Sequence, residues 1–271
     1  MMSETRFHIG TSGYSYKDWC GPVYPAGARQ GDMLSLYAQQ FDTVELNFSY
    51  YRQPDPQQLA KMAETVADVN PAFTFSVKAF KGLTHEIGPT WQQDAAVFRD
   101  ALSALAENAR LAAVLMQFPH SFHYTVQNRK HLDAVSRALE GLPLACEFRC
   151  AEWLTDRVYD GLRARGVTLV AVDEPALDGL LPPVCIPTAG TAYLRFHGRN
   201  KENWWRGDNA SRYDYLYSED ELREWIPKLV SLGGTVTNAF IYFNNHWRGQ
   251  AVENARMFRE LVRSHGEHPH A

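Results

Sequence analysis

Eight short runs rich in β-branched and aromatic residues, each followed by a longer return segment, set the frame of this chain. The runs occupy residues 7–12, 43–48, 73–79, 112–118, 144–149, 168–173, 192–198 and 239–245. Such alternation reads as βα units feeding a parallel sheet, because a parallel partner is reached only through a long crossover. Segments 32–40, 57–67, 95–109, 126–140 and 154–165 repeat apolar residues at spacings of three and four and are expected to be return helices. Ser218 with Glu221 makes a capping-box start for a seventh return, which runs to about residue 231 before Gly233 and Gly234 stop it. An eighth return spans 250–264, and the sixth, 175–188, is weak because Pro182, Pro183 and Pro187 break it.

Eight such units in 271 residues, 45% of them hydrophobic, predict an α/β fold consisting of one TIM-type (β/α)8 barrel, parallel and eight-stranded. An open doubly wound sheet would show fewer strands and a glycine fingerprint after the first. Neither that fingerprint nor a phosphate loop is present, so no nucleotide cofactor is signalled. No connector is long and polar enough to act as a linker, and residues 1–271 read as one domain. Its core is expected over about 7–264, with a polar tail at 265–271 in which Gly266 and Pro269 separate His265, His268 and His270.

A formal charge of −4 provides no global basic field, so an anionic partner would need a local patch. The first six residues lack the apolar run of a secretory signal, and the strongest apolar run, residues 111–116, is far below the roughly 20 residues that span a bilayer. A cytoplasmic protein with no membrane partner is the expectation. Cys20, Cys146, Cys150 and Cys185 have neither zinc-site spacing nor the density of a disulfide scaffold, and are expected as reduced thiols.

Alternate residues of a barrel strand face the helices or the barrel axis, and polarity separates the two sets. In the third strand Phe73, Phe75 and Val77 leave Lys78 facing inward, and in the fifth Cys146 and Phe148 leave Glu147 and Arg149. In the sixth, Val170 and Val172 read as outward and Asp173 as inward; in the seventh, Leu194 and Phe196 leave Arg195, His197 and Arg199. Glu45 and Asn47 share a face of the second strand, Gln117 ends the fourth, and Asn244 follows Tyr242 in the eighth. These residues cluster at the carboxyl ends of the strands, where barrel enzymes place their chemistry. Taken singly, Glu45 with Lys78, or Glu147 with Arg195 or Arg149, could be internal ion pairs that complete a core. A whole ring of charge is less readily explained so, since barrel interiors are normally filled by aliphatic layers.

The loops around this end are aromatic and basic. Tyr14, Tyr16, Trp19 and Tyr24 follow the first strand; Lys201, Trp204, Trp205, Arg206, Arg212, Tyr213 and Tyr215 follow the seventh. Such interleaving suits a ligand with flat rings and phosphates, or a sugar, although the same rings could simply pack the loops onto the rim.

The stretches GTSGYSYKDWCGPVYP, FDTVELNFSYYRQP, FTFSVKAFKGLTHE, MQFPHSF, CEFR, YLRFHGR and YFNNHWRGQAVENA, in this order and each at a strand end, give the chain a resemblance to the YecE-like family, domain of unknown function 72, over about residues 7–261. The resemblance implies a TIM-type barrel and names no reaction. Members of that family are similar in shape to endonuclease IV and xylose isomerase, which are metal enzymes. Lys78, Arg149 and Arg195 among the carboxylates disfavour a trinuclear cluster here, leaving a single divalent ion on Glu147, Asp173 and His197 as an alternative.

The favoured expectation is an enzyme, a hydrolase or an isomerase/lyase, acting on a small anionic substrate that contains phosphate or sugar. Glu45, Glu147 or Asp173 would act as acid and base, His197 as proton shuttle, and Lys78, Arg149 and Arg195 as the anion clamp. Asn47, Gln117, Arg199, Asn244, Tyr16, Trp19, Trp204 and Trp205 would complete the binding surface. The alternatives are a nucleic-acid-binding or repair-nuclease-like barrel and a non-catalytic binding barrel.

Overall fold

A computed structural model of the chain describes residues 5–207 and 209–267. Eight parallel strands, β1 (Arg6–Thr11), β2 (Thr43–Leu46), β3 (Thr74–Lys78), β4 (Leu111–Gln117), β5 (Leu144–Glu147), β6 (Thr168–Asp173), β7 (Thr191–Phe196) and β8 (Asn238–Phe243), pair in the order β1-β8-β7-β6-β5-β4-β3-β2. A parallel bridge between Ser12 and Glu45 joins the two ends of that order, giving a TIM-type barrel. Each strand lies within two residues of its expected bounds at either end.

The return helices are α1 (Met33–Ala38), α2 (Pro56–Ala67), α3 (Trp91–Ala101), α4 (Val126–Ala138), α5 (Asp156–Arg163), α6 (Glu219–Arg223), α7 (Ile226–Val230) and α8 (Gln250–Glu267). Local chemistry sets several boundaries. Asp55 caps α2 by accepting from the Gln57 amide, with Pro56 at the first turn where a missing N–H is harmless. The Ser218–Glu221 capping box forms as expected at α6. The seventh return is nonetheless two helices, because Pro227 cannot supply the N–H that would continue α6 and instead sits in the first turn of α7. The sixth return, between β6 and β7, carries no helix among the described residues. The eighth helix passes through Gly266 to Glu267, so the tail expected from residue 265 begins later; His268 and His270 lie outside the described residues.

Between sheet and helices, Phe73, Phe75, Val77, Cys146 and Phe148 are buried, and Phe196 and Phe243 stack at 4.5 Å against Phe258 of α8. The barrel interior is far more polar than the usual aliphatic layers: Tyr242 bonds Thr43 Oγ1 at 2.6 Å and Ser76 Oγ at 2.9 Å across it. At the β1–β2 seam a side chain enters the backbone ladder. The Tyr37 hydroxyl, from α1, accepts from the Thr11 amide at 2.8 Å and donates to the Thr43 carbonyl at 3.2 Å. Gly10 makes the approach feasible, because a Cβ there would sit 2.2 Å from the Thr43 carbonyl oxygen.

Candidate functional site

Parallel neighbours in register point their side chains the same way, so pairing fixes what faces the barrel axis. Tyr193 and Arg195 of β7 face inward: Tyr193 donates to Glu45 Oε2, and Arg195 donates from Nη2 to Glu45 Oε1 and from Nη1 to Glu147 Oε2, each at 2.7 Å. Val170 and Val172 pair with these two residues and therefore also face inward. Asp173 pairs with Phe196 and faces the helices, which corrects the parity expected for β6. There it accepts from Tyr217 Oη, Trp225 Nε1 and Arg199, all within 2.9 Å. Arg199 likewise turns outward, to Asp173 and Glu224.

Glu147 is the hub of the inward layer. Beyond Arg195 it accepts from Arg149 Nε, and Arg149 also donates from Nη1 to Glu174 at 3.2 Å and from Nη2 to His197 Nε2 at 3.0 Å. These cations hold the Glu147 carboxyl well below the usual range despite complete burial. His197 Nε2 lies between this guanidinium and Glu147 Oε1, 3.3 Å away, and Nδ1 lies 3.2 Å from Asn244 Nδ2. Burial first, and Arg149 next, push His197 well below its ordinary value. Both effects favour the neutral imidazole.

Over this layer lies a cleft of about 1260 Å³ at the carboxyl ends of the strands. Arg52, Lys78, Arg149, Arg195 and Arg212 line it, together with the amides Asn47, Gln117 and Asn244. Among the described residues that line it none is an aspartate or glutamate. Glu45 and Glu147, expected as acid and base, are fully buried beneath, sealed by their arginines. Arg195 has both terminal nitrogens committed to those carboxylates, so it cannot also offer its planar fork to a ligand. Among the described residues, four buried polar atoms lining the cleft have no hydrogen-bond partner: Asn47 Oδ1, His120 Nε2, Arg195 Nε and Arg212 Nε. Buried groups of this kind are normally satisfied, and a bound polar molecule is one way to satisfy them.

Lys78 reaches the cleft from the end of β3. Its ammonium sits 4.5 Å from the centre of the Tyr50 ring, and no carboxylate lies within ion-pair distance among the described residues. Burial, then Arg195 and Arg149, lower it to about 7 against the opposing pull of Glu147 and Glu45. His85 packs edge-on against the same ring at 4.9 Å and lies 3.4 Å from the Gln117 amide. Burial and the cations Lys78 and Arg149 lower His85 to about 4.

Tyr16, Trp204 and Trp205 line the cleft, with Trp204 packed 5.8 Å from the Arg149 guanidinium and Trp205 54% exposed on the rim. Trp19 does not line it. That ring is fully buried and donates to the His246 carbonyl at 2.7 Å, packing its loop onto the barrel. Glu147 and His197 lie 3.3 Å apart, but Asp173 is on the other face of the sheet, so the three do not converge on one ion. Among the described residues, metal-type ligand atoms gather in threes at a different place, His123, Cys150 and Glu152.

The family model described as "Protein of unknown function DUF72" matches residues 8–271. The chain belongs to the DUF72 family. It is 30% identical to the UPF0759 protein YunF of Bacillus subtilis (strain 168), over 94% of each chain. A crystal structure of a DUF72 family protein from Thermotoga maritima MSB8 is 37% identical, with a TM-score of 0.86 over 95% of this chain and 99% of the other. A second DUF72 structure, from Enterococcus faecalis V583, is 24% identical, with a TM-score of 0.84 over 95% of each. The resemblance drawn from the seven motifs and the barrel expected from the strand count thus agree with the family and with solved folds.

Within this DUF72 cleft several residues escaped sequence reasoning: Tyr50, Tyr51, Arg52, His85 and His120. All follow a strand end within a few residues, in short helices or loops without strand alternation. The signal that could have found them is position alone, since loops after barrel strands build the site.

Proposed function

We propose that this protein is a barrel enzyme acting on a small substrate that carries an anionic group, phosphate or carboxylate, bound at the carboxyl-end cleft. The observation that carries this reading is the sorting of charge: four arginines and Lys78 but, among the described residues, no carboxylate line the cleft, while Glu45 and Glu147 lie beneath it. Arg52 and Arg212 have no carboxylate partner among the described residues, so an anion entering would meet charges not already neutralised. The cleft exceeds the range of small-molecule pockets, roughly 300–1,000 Å³, only modestly.

A thermal-shift series with inorganic phosphate, sugar phosphates and small carboxylates tests it, because a ligand that binds only the folded state raises the melting temperature by mass action. Phosphate compounds should stabilise the wild type, and Arg212→Gln or Arg52→Gln should weaken that effect while leaving the ligand-free melting temperature nearly unchanged. No stabilisation by any anion would overturn the reading.

A second reading rests on Tyr51 and Trp205, 63% and 54% exposed beside the cleft, which could stack the bases of a single strand. Affinity for an oligonucleotide would then fall steeply with salt, whereas a small anion should respond weakly.

A further inference from the structure

We propose that Lys78 is a nucleophile that forms an imine with a carbonyl compound, so that the substrate class is a small aldehyde or ketone bearing an anionic group. This rests on the anion-binding reading of the same cleft and adds a covalent chemistry to it.

The placement of Lys78 differs from that of a clamp. Its backbone is fixed at the end of β3, where the Ser49 hydroxyl donates to the Lys78 carbonyl at 2.6 Å. The side chain rises from the same inward face as Ser76 and lies over the Tyr50 ring. Every carboxylate near it is already engaged: Glu45 by Arg195 and Tyr193, Glu147 by Arg195 and Arg149. The groups that face it are therefore Arg195 and Arg149, these two neutralised glutamates, the Tyr50 ring and His85. Two permanent guanidinium charges already supply positive potential. A third cation adds repulsion there, whereas an amine held near neutrality adds a lone pair.

The step is balanced without an oxidant or reductant. The nitrogen lone pair attacks the carbonyl carbon, a C–N bond forms and the carbonyl π pair moves to oxygen. Proton transfer from nitrogen to that oxygen gives a carbinolamine, and departure of the hydroxyl with one further proton releases water and leaves the imine. His85, packed edge-on against the same Tyr50 ring and close enough for Lys78 to act on its charge, is the neutral imidazole available to relay those protons. Arg52 and Arg212 would hold the anionic end.

The experiment treats the full-length wild type at pH 7 with glyceraldehyde 3-phosphate and sodium borohydride, then maps modified lysines by mass spectrometry. Borohydride delivers hydride to the imine carbon and makes the bond permanent. Lys17, Lys61, Lys130 and Lys201 are exposed and serve as internal controls. Lys78 should be modified at least about tenfold more than these, because an ordinary lysine is almost entirely protonated at pH 7. Inorganic phosphate should protect it, and Lys78→Arg should remove the preferential label. Modification of Lys78 no greater than the controls overturns the imine, and if phosphate still stabilises the protein the anion reading survives alone. Preferential modification by unphosphorylated glyceraldehyde to the same extent, without phosphate protection, keeps the imine and removes the anionic substrate.

Discussion

Arg195 lies in the interior with only 1% of its surface exposed, and that decides what its removal does. Truncation to alanine strands Glu45 and Glu147 as buried carboxylates that have lost a partner, which typically costs about 3–5 kcal/mol. Arg195→Ala is therefore expected to lower stability in urea unfolding by that order, in contrast to Arg212→Gln at the rim. Lys78 makes the opposite prediction. The unfolded chain holds its lysine proton up to about pH 10.5, whereas the folded chain releases it at about 7. Between those values the unfolded state binds more protons, so stability rises with pH. Lys78→Met should accordingly be more stable than wild type at pH 7, with a flatter pH profile through that window. His85 acts in the same direction on the acid side: folded at about 4 and unfolded at 6.5, it makes stability climb with pH from 4 to 6.5. Urea midpoints measured from pH 4 to 10, for wild type, Lys78→Met and His85→Gln, separate the two contributions.

At the scale of elements, α1 acts through one atom. Replacing Tyr37 with phenylalanine removes the hydroxyl that satisfies both the Thr11 amide and the Thr43 carbonyl, leaving two buried backbone groups unpaired. Tyr37→Phe is expected to destabilise by about 1–3 kcal/mol, measurable as a lowered urea midpoint with an unchanged slope. The strands were legible because turn residues and β-branched runs mark their ends locally. Inward and outward faces were legible in β3, β5 and β7, where polar residues at alternate positions mark the axis side. They were misread in β6, whose sequence TLVAVD is apolar on both faces and whose one carboxylate serves the helix layer through Trp225 and Tyr217. Sequence also singled out the charged residues of the site without showing which would neutralise one another. That sorting depends on register across β2, β5 and β7, where Arg195 lies 48 residues from Glu147 and 150 from Glu45 along the chain. Tyr50 and His85 were hidden for a related reason: they follow strand ends in segments whose direction is set by packing, not by period.

For the molecule as a whole, net negative charge and a cationic cleft coexist, so attraction of an anion is confined to one end of the barrel. The ring of strands is likewise uneven around its circumference. Seven of its eight junctions are ladders of two or more paired residues, that of β3 and β4 with a register shift between Phe75 and Ser76, while β1 and β2 meet through the Ser12–Glu45 bridge, the Gly13 amide on the Glu45 carbonyl and the inserted phenol of Tyr37. A hoop opens where it is joined. Slow fluctuations of the native state should therefore part the barrel between β1 and β2 before any other pair of strands, and deuterium should reach the Thr11 and Gly13 amides sooner than those of β6, β7 and β8. Native-state hydrogen exchange under mild urea reads this directly, and Tyr37→Phe should speed exchange at those two amides far more than at the β7–β8 ladder. Glu45 sits at that joint as well as under the cleft, so a ligand that steadies the layer above it should also slow the parting of the hoop.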